Sequence, residues 1–390
     1  MNRNLWLLTI CQGLFLTNNV TFIAINGLVG LSLAPYGWMA TLPVMGYVVG
    51  GALSTPLVAR TQQHFGRKVS FQMGLAVALA SAVLCAYAAV TRDFWLLCMA
   101  TVVAGYYNAN ANLYRFAAAE LASKEWREKA VSLVMAGGLI GAVAGPNLAA
   151  HTRTLTAVPF TGAYLALAVV AVLSYLAMLP IAFEPHVATK AHAGGRPLSV
   201  LMRQPVFIVA ATAGALSFGV MNLLMAATPI AMQQCGLPFS DAAFVLEWHV
   251  IGMFAPGFFT GHLIKRFGAL TIMALGTLLY ALCIIVALSG VALQQFWLAL
   301  LLLGVGWNFL FTGSTTLSLQ TYTSEEKDRA QGALNFFVFA TLALSSLSSG
   351  ILVTTSGWAW LNYGSIVPVS VIGGALTWLA VYGRRARAVD

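Results

Sequence analysis

Four side chains in the second half of the chain have the types and spacing to hold a soft cation. Met221 and Met225 lie four residues apart in one apolar run, and His249 and Met253 lie four apart in the next. Residues i and i+4 stack on one face of an α-helix, so each run offers one donor pair. Thioether sulfur is soft and selects Cu(I) over magnesium, manganese or calcium. Three thioethers and one imidazole form a neutral set in which only the imidazole titrates near neutral pH. Composition alone predicts roughly 0.4 chance MxxxM pairs and roughly 0.2 chance HxxxM pairs. Either pair by itself is ordinary core filling. Their occurrence on consecutive runs at matching depth, with a histidine that is costly inside a membrane, sets metal binding level with core packing.

The elements that must carry these donors follow from composition. Of 390 residues, 59% are hydrophobic and 8% charged, whereas soluble domains carry roughly a quarter charged residues. About twelve apolar runs are long enough to cross a bilayer. They cover 5–31, 37–59, 69–91, 94–116, 130–150, 159–183, 206–232, 243–264, 270–290, 295–320, 330–354 and 360–383. With spans 7 and 8 antiparallel, Met221 lies level with Met253 near mid-depth. Met225 and His249 then share a level one turn (~6 Å) further out.

The net charge of +9 resides in short connections and marks topology, not a nucleic-acid partner. Arg60, Arg67 and Lys68 follow span 2; Lys124, Arg127 and Lys129 follow span 4; Lys190, Arg196 and Arg203 follow span 6. Lys265 and Arg266 follow span 8, Lys327 and Arg329 follow span 10, and Arg3 and the tail Arg384, Arg385 and Arg387 share that face. Only Arg92 and Arg153 fall on the other. The positive-inside rule therefore places both termini in the cytoplasm. The opening MNRN and its apolar run read as a retained helix and not a cleaved signal. Five cysteines without a CxxC imply neither disulfide framework nor zinc site. No triad, phosphate loop or carboxylate pair points to an enzyme, and no cofactor is expected.

The chain reads as two echoing halves. ARTQQHFGRK (59–68) answers GHLIKRFG (261–268), GYYN (105–108) answers GWN (306–308), and SKEWREKA (123–130) answers SEEKDRA (324–330), all offset by about 200 residues. The polar connection between spans 6 and 7, with His186, Lys190, His192 and the Gly194-Gly195 pair, divides them. The expected layout is an N-terminal bundle (1–184), a cytoplasmic central loop (185–205) and a C-terminal bundle (206–390), with a substrate site at mid-membrane between the bundles.

Twelve spans, a central loop and the FGRK turn echoed by KRFG resemble the major facilitator superfamily. The usual acid before the first basic turn is absent here. GAVAGP (141–146) is similar to an element of proton-coupled exporters, although small residues at this spacing also simply let helices pack. MNLLM (221–225) followed by HVIGM (249–253) resembles the paired motifs of the CcoA-type copper importers, in the CcoA-like (CalT) branch. That resemblance implies an all-α integral membrane protein with the twelve-helix fold. It further implies copper import across a bacterial inner membrane for cbb3-type oxidase assembly, with Met221, Met225, His249 and Met253 as copper residues. The partners implied are copper, the bilayer and a cytoplasmic copper chaperone, and the carrier is expected to be a monomer.

Secondary candidates are Cys235 in the turn between the motif spans, Glu247 near His249, and Asn108 and Asn112 on span 4. Structural readings stand beside each: a small turn residue, a carboxylate in the first turn of span 8, and interhelical hydrogen bonding. Asn18, Asn19, Tyr106, Tyr107, Asn110 and Arg115 would instead suit a polar organic solute. A riboflavin-type carrier of the same branch and a proton-coupled drug exporter are the rival functions. A membrane chaperone for oxidase assembly is a non-transport alternative.

Overall fold

A computed structural model describes residues 3–123, 127–183, 195–323 and 326–387. The first part of the expected central loop (185–194), with His186, Lys190 and His192, falls outside them. The described residues form helices α1 (Arg3–Leu33), α2 (Leu42–Thr91), α3 (Phe94–Ala111), α4 (Tyr114–Glu120), α5 (Arg127–Ala136), α6 (Gly138–Thr152) and α7 (Thr161–Met178) in the first half. The second half holds α8 (Leu198–Leu201), α9 (Pro205–Gln234), α10 (Phe239–Phe254), α11 (Gly257–Phe267), α12 (Ala269–Leu288), α13 (Leu293–Ser318), α14 (Lys327–Thr355) and α15 (Gly357–Arg387). No strand occurs among them, and the chain is an all-α membrane bundle.

Nine of these segments are long and apolar enough to cross a bilayer, or ten if the bent pair α10–α11 counts as one span. The difference from twelve has two causes. First, α2 is continuous through spans 2 and 3 but reverses at Gly66, whose φ of 77° leaves the helical region. Thr61 and Ser70, nine residues apart, touch hydroxyl to hydroxyl at 2.9 Å; along an unbroken helix they would be about 13 Å apart. Second, span 4 carries a Tyr-Tyr-Asn run and breaks at Asn112 into α3 and α4. The α10–α11 bend of 42° follows Phe254, at Pro256, where the ring removes a backbone donor.

The sequence echo is also a structural one. Gly66 (φ 77°) and Gly268 (φ 85°) hold the same left-handed turn in the two halves, a conformation that glycine adopts without steric penalty. Arg67, just after the first turn, is forked onto Glu120 at the end of α4.

The halves meet unevenly. On the face away from the termini, α1 packs against α9, α2 against α14, and α6 against α10. Thr41 at the start of α2 donates to the Ser346 carbonyl of α14 at 2.5 Å, and the Asn147 amide of α6 donates to Glu247 of α10 at 2.8 Å. One continuous apolar core spans both halves there. Toward the termini each half keeps a separate core, one around Phe71 and Tyr114, the other around Leu201 and Phe207. The contacts between the halves thus gather on the far face.

On that termini face Glu326, buried before α14, takes two guanidinium bonds of 2.8 Å from Arg196 and a third of 2.7 Å from its backbone N–H. These bonds hold the Glu326 carboxyl well below the usual carboxylate range. A depressed folded-state pKa contributes stability above the unfolded value, about 4.3, and loses it as pH falls toward the folded one. Glu326→Gln should therefore lower the thermal midpoint at pH 7 but differ progressively less from the parent as pH drops below about 4. An equal deficit at every pH would show that the bonds to Arg196 are not the cause.

A candidate substrate site where the halves part

The four predicted donors all point into protein. Met221, Met225 and Met253 belong to the shared core, and His249 has no exposed surface. α9 and α10 each pack chiefly on other partners and only lightly on each other, and α13 is a principal neighbour of both. The His249 ring turns to α13, with Nδ1 2.7 Å from the Leu300 carbonyl. The Met253 carbonyl accepts from Asn308 Nδ2 at 2.7 Å, also on α13. A carbonyl only accepts, so the neutral imidazole carries its hydrogen on Nδ1. The Nε2 lone pair then faces the interior, buried and without a partner. Among the described residues no three His, Cys, Asp or Glu side chains cluster, so a metal here would rest on thioethers and this one nitrogen.

The secondary candidates separate. Cys235 caps the end of α9 and is exposed. Glu247 lies about two turns inside α10, because that helix begins at Phe239, earlier than hydropathy indicated. It is therefore not a first-turn carboxylate; it bridges the halves through Asn147, whose own carbonyl meets His151 Nδ1 at 2.8 Å. Asn112 donates to Asn108 Oδ1 at 3.0 Å along one helix face. Asn110 accepts from Ser70 at 3.0 Å, and Tyr106 joins Thr61 at 3.2 Å. Those two are scaffold for the first half, as interhelical bonding predicts. Asn19 reaches the Tyr47 hydroxyl at 3.1 Å.

What periodicity did not reveal is a group of four rings within the shared core. Trp307 and Phe311, one turn apart on α13, stack at 5.0 Å and 10°. Phe218 of α9 meets both edge-on at 5.0 Å, and Phe254, at the α10 bend, meets Trp307 at 6.2 Å. Phe254 also packs against the first-half core, opposite Gly138, so this group lies where the two halves touch. Phe218, Phe254 and Phe311 are half-buried, whereas Trp307 is buried with an unpartnered Nε1–H. Ring faces with a nearby donor lacking an acceptor suit a flat, hydrogen-bonding aromatic molecule. The i, i+4 spacing of Trp307 and Phe311 beside the GWN echo was the available sequence signal.

A two-part helical bundle with a site at its mid-depth seam is the architecture of a secondary transporter. The chain belongs to the Major Facilitator Superfamily, whose model matches residues 5–256 and 211–389. Within it, the chain is 39% identical over 368 residues to the riboflavin transporter RfnT of Brucella anthropi, covering 93% of this chain and 92% of that one. Among solved structures, the nucleoside transporter NupG matches with a TM-score of 0.74 at 13% identity, and the human organic anion transporter MFSD10 (TETRAN) with 0.70 at 14%. Each alignment covers 96% of this chain and 99% of the other; likeness this distant speaks for the fold.

Proposed function

We propose that this transporter carries a flat, uncharged aromatic solute of the riboflavin class across a bacterial inner membrane by alternating access, with both termini cytoplasmic. The observation that carries this reading is the ring group of Phe218, Phe254, Trp307 and Phe311 at the seam. The similarity to RfnT along nearly the whole length supports it and supplies the substrate class. Termini placement rests on the basic connections, which gather on one face. On the same basis we propose the division into bundles 1–184 and 206–390 around a central loop, 185–205.

Copper is the second reading, and one observation favours it: a buried histidine whose Nε2 lone pair lacks a partner, in a core that also holds Met221, Met225 and Met253. The two readings predict different cargo. Cells lacking other riboflavin uptake and expressing this chain should accumulate labelled riboflavin saturably, with no rise in copper. Copper accumulation abolished by His249→Ala or Met221→Ala, without riboflavin flux, would overturn the first reading in favour of the second.

A further inference from the structure

The far face holds a cavity of about 330 Å³ between the halves, apart from the ring group. Its walls include Leu28 of α1, Pro229 of α9, and Phe160 and Phe239 from opposite halves. Arg92 and Arg153, arginines of that face, both line it. The Arg153 guanidinium is held between rings, 5.2 Å from the Phe160 centroid and 5.5 Å from Phe239. Its Nε–H is buried and donates to nothing. Neither Arg92 nor Arg153 forms an ion pair with a carboxylate of the described residues. The backbone is also costly here. Arg92 (φ 57°) and Phe160 (φ 67°) are the two non-glycine residues with left-handed φ among those described, and such strain gathers at binding sites.

We infer that this cavity is a binding site for a small organic anion, a carboxylate or phosphate group attached to a compact apolar body. Two guanidinium groups supply forked, charge-assisted donors. The rings and aliphatic walls would cover the apolar part, and the volume falls in the range of small-molecule sites. Because Phe160 and Phe239 come from different halves, the occupant touches both and favours the far-closed arrangement over any in which they separate. A soluble anion and an anionic lipid headgroup share this chemistry.

The test uses the full chain in phosphatidylcholine nanodiscs with radiolabelled benzoate as probe and benzyl alcohol as neutral comparator. Saturable benzoate binding is expected, weakened roughly tenfold or more by Arg153→Gln and by Arg92→Gln, with Arg266→Gln on the opposite face without effect. Arg92 is exposed, so its variant reports even if Arg153→Gln misfolds. Adding phosphatidylglycerol identifies the source: competition assigns the site to lipid, and undiminished binding assigns it to a soluble anion, both supporting it. No saturable binding, or binding indifferent to both substitutions, overturns the inference. The measurement involves no transported solute, so its result is independent of whether riboflavin or copper is the cargo.

Discussion

Trp307→Ala should raise the KM for riboflavin uptake roughly five- to hundredfold while the protein remains in the membrane. Stacking of one flat heteroaromatic ring on an aromatic side chain is worth about 1–3 kcal/mol by alanine substitution, and each 1.4 kcal/mol is tenfold. Trp307 is at the centre of the group, touching Phe218, Phe254 and Phe311, so its loss also frees its neighbours to turn. Trp307→Phe keeps a ring and removes only the Nε1–H. It should fall between parent and alanine variant, and its remaining deficit measures the hydrogen bond to the solute. An unchanged KM in Trp307→Ala would remove the ring group from the transport path.

The second large effect concerns helix packing. Gly105→Val on α3 and Gly304→Val on α13 should each prevent recovery of monodisperse protein. Within a bilayer, helices gain little from hiding apolar surface from one another, and close packing at small residues carries the association. A Cβ on Gly105 would fall on the backbone of Gly50 and Gly51; one on Gly304 would fall on the backbone of His249 and Gly252. Backbone cannot swing aside, so the cost exceeds the ~3 kcal/mol upper end of ordinary overpacking. Gly261→Val is the control, since nothing lies within 4 Å of that position. Fluorescence-detected size exclusion reads the outcome. Normal peaks for both variants would mean that these crossings loosen without harm.

The two glycines occupy matching crossings, span 2 on span 4 and span 8 on span 10, about 200 residues apart. Such features were legible because local chemistry dictates them: apolar runs must cross, basic connections must stay on one face, and a Phe-Gly turn can bend left-handed. Which helix faces meet is not written in any one run. Setting Met221 level with Met253 and Met225 level with His249 treats consecutive spans as the main neighbours, but α13 lies against both helices and takes the histidine bond. The ring group joins residues from three helices up to 93 positions apart in sequence, and no periodicity within one run encodes that meeting. Glu247 was misplaced for a smaller reason. Phe239 and its polar neighbours start α10 before hydropathy rises, which moves the carboxylate from the helix end to the seam.

The cap of α9 has a practical use. Cys235 is the exposed thiol of the five, while Cys11, Cys85 and Cys283 are buried and Cys98 is half-buried. A maleimide fluorophore or spin probe can therefore be attached to the native sequence at one dominant position, with no cysteine-free background to engineer. That position adjoins Gln233 and Leu237 on the rim of the far-face cavity. The probe would report each separation of the two bundles as a change in its own signal, in real time and without labelled cargo.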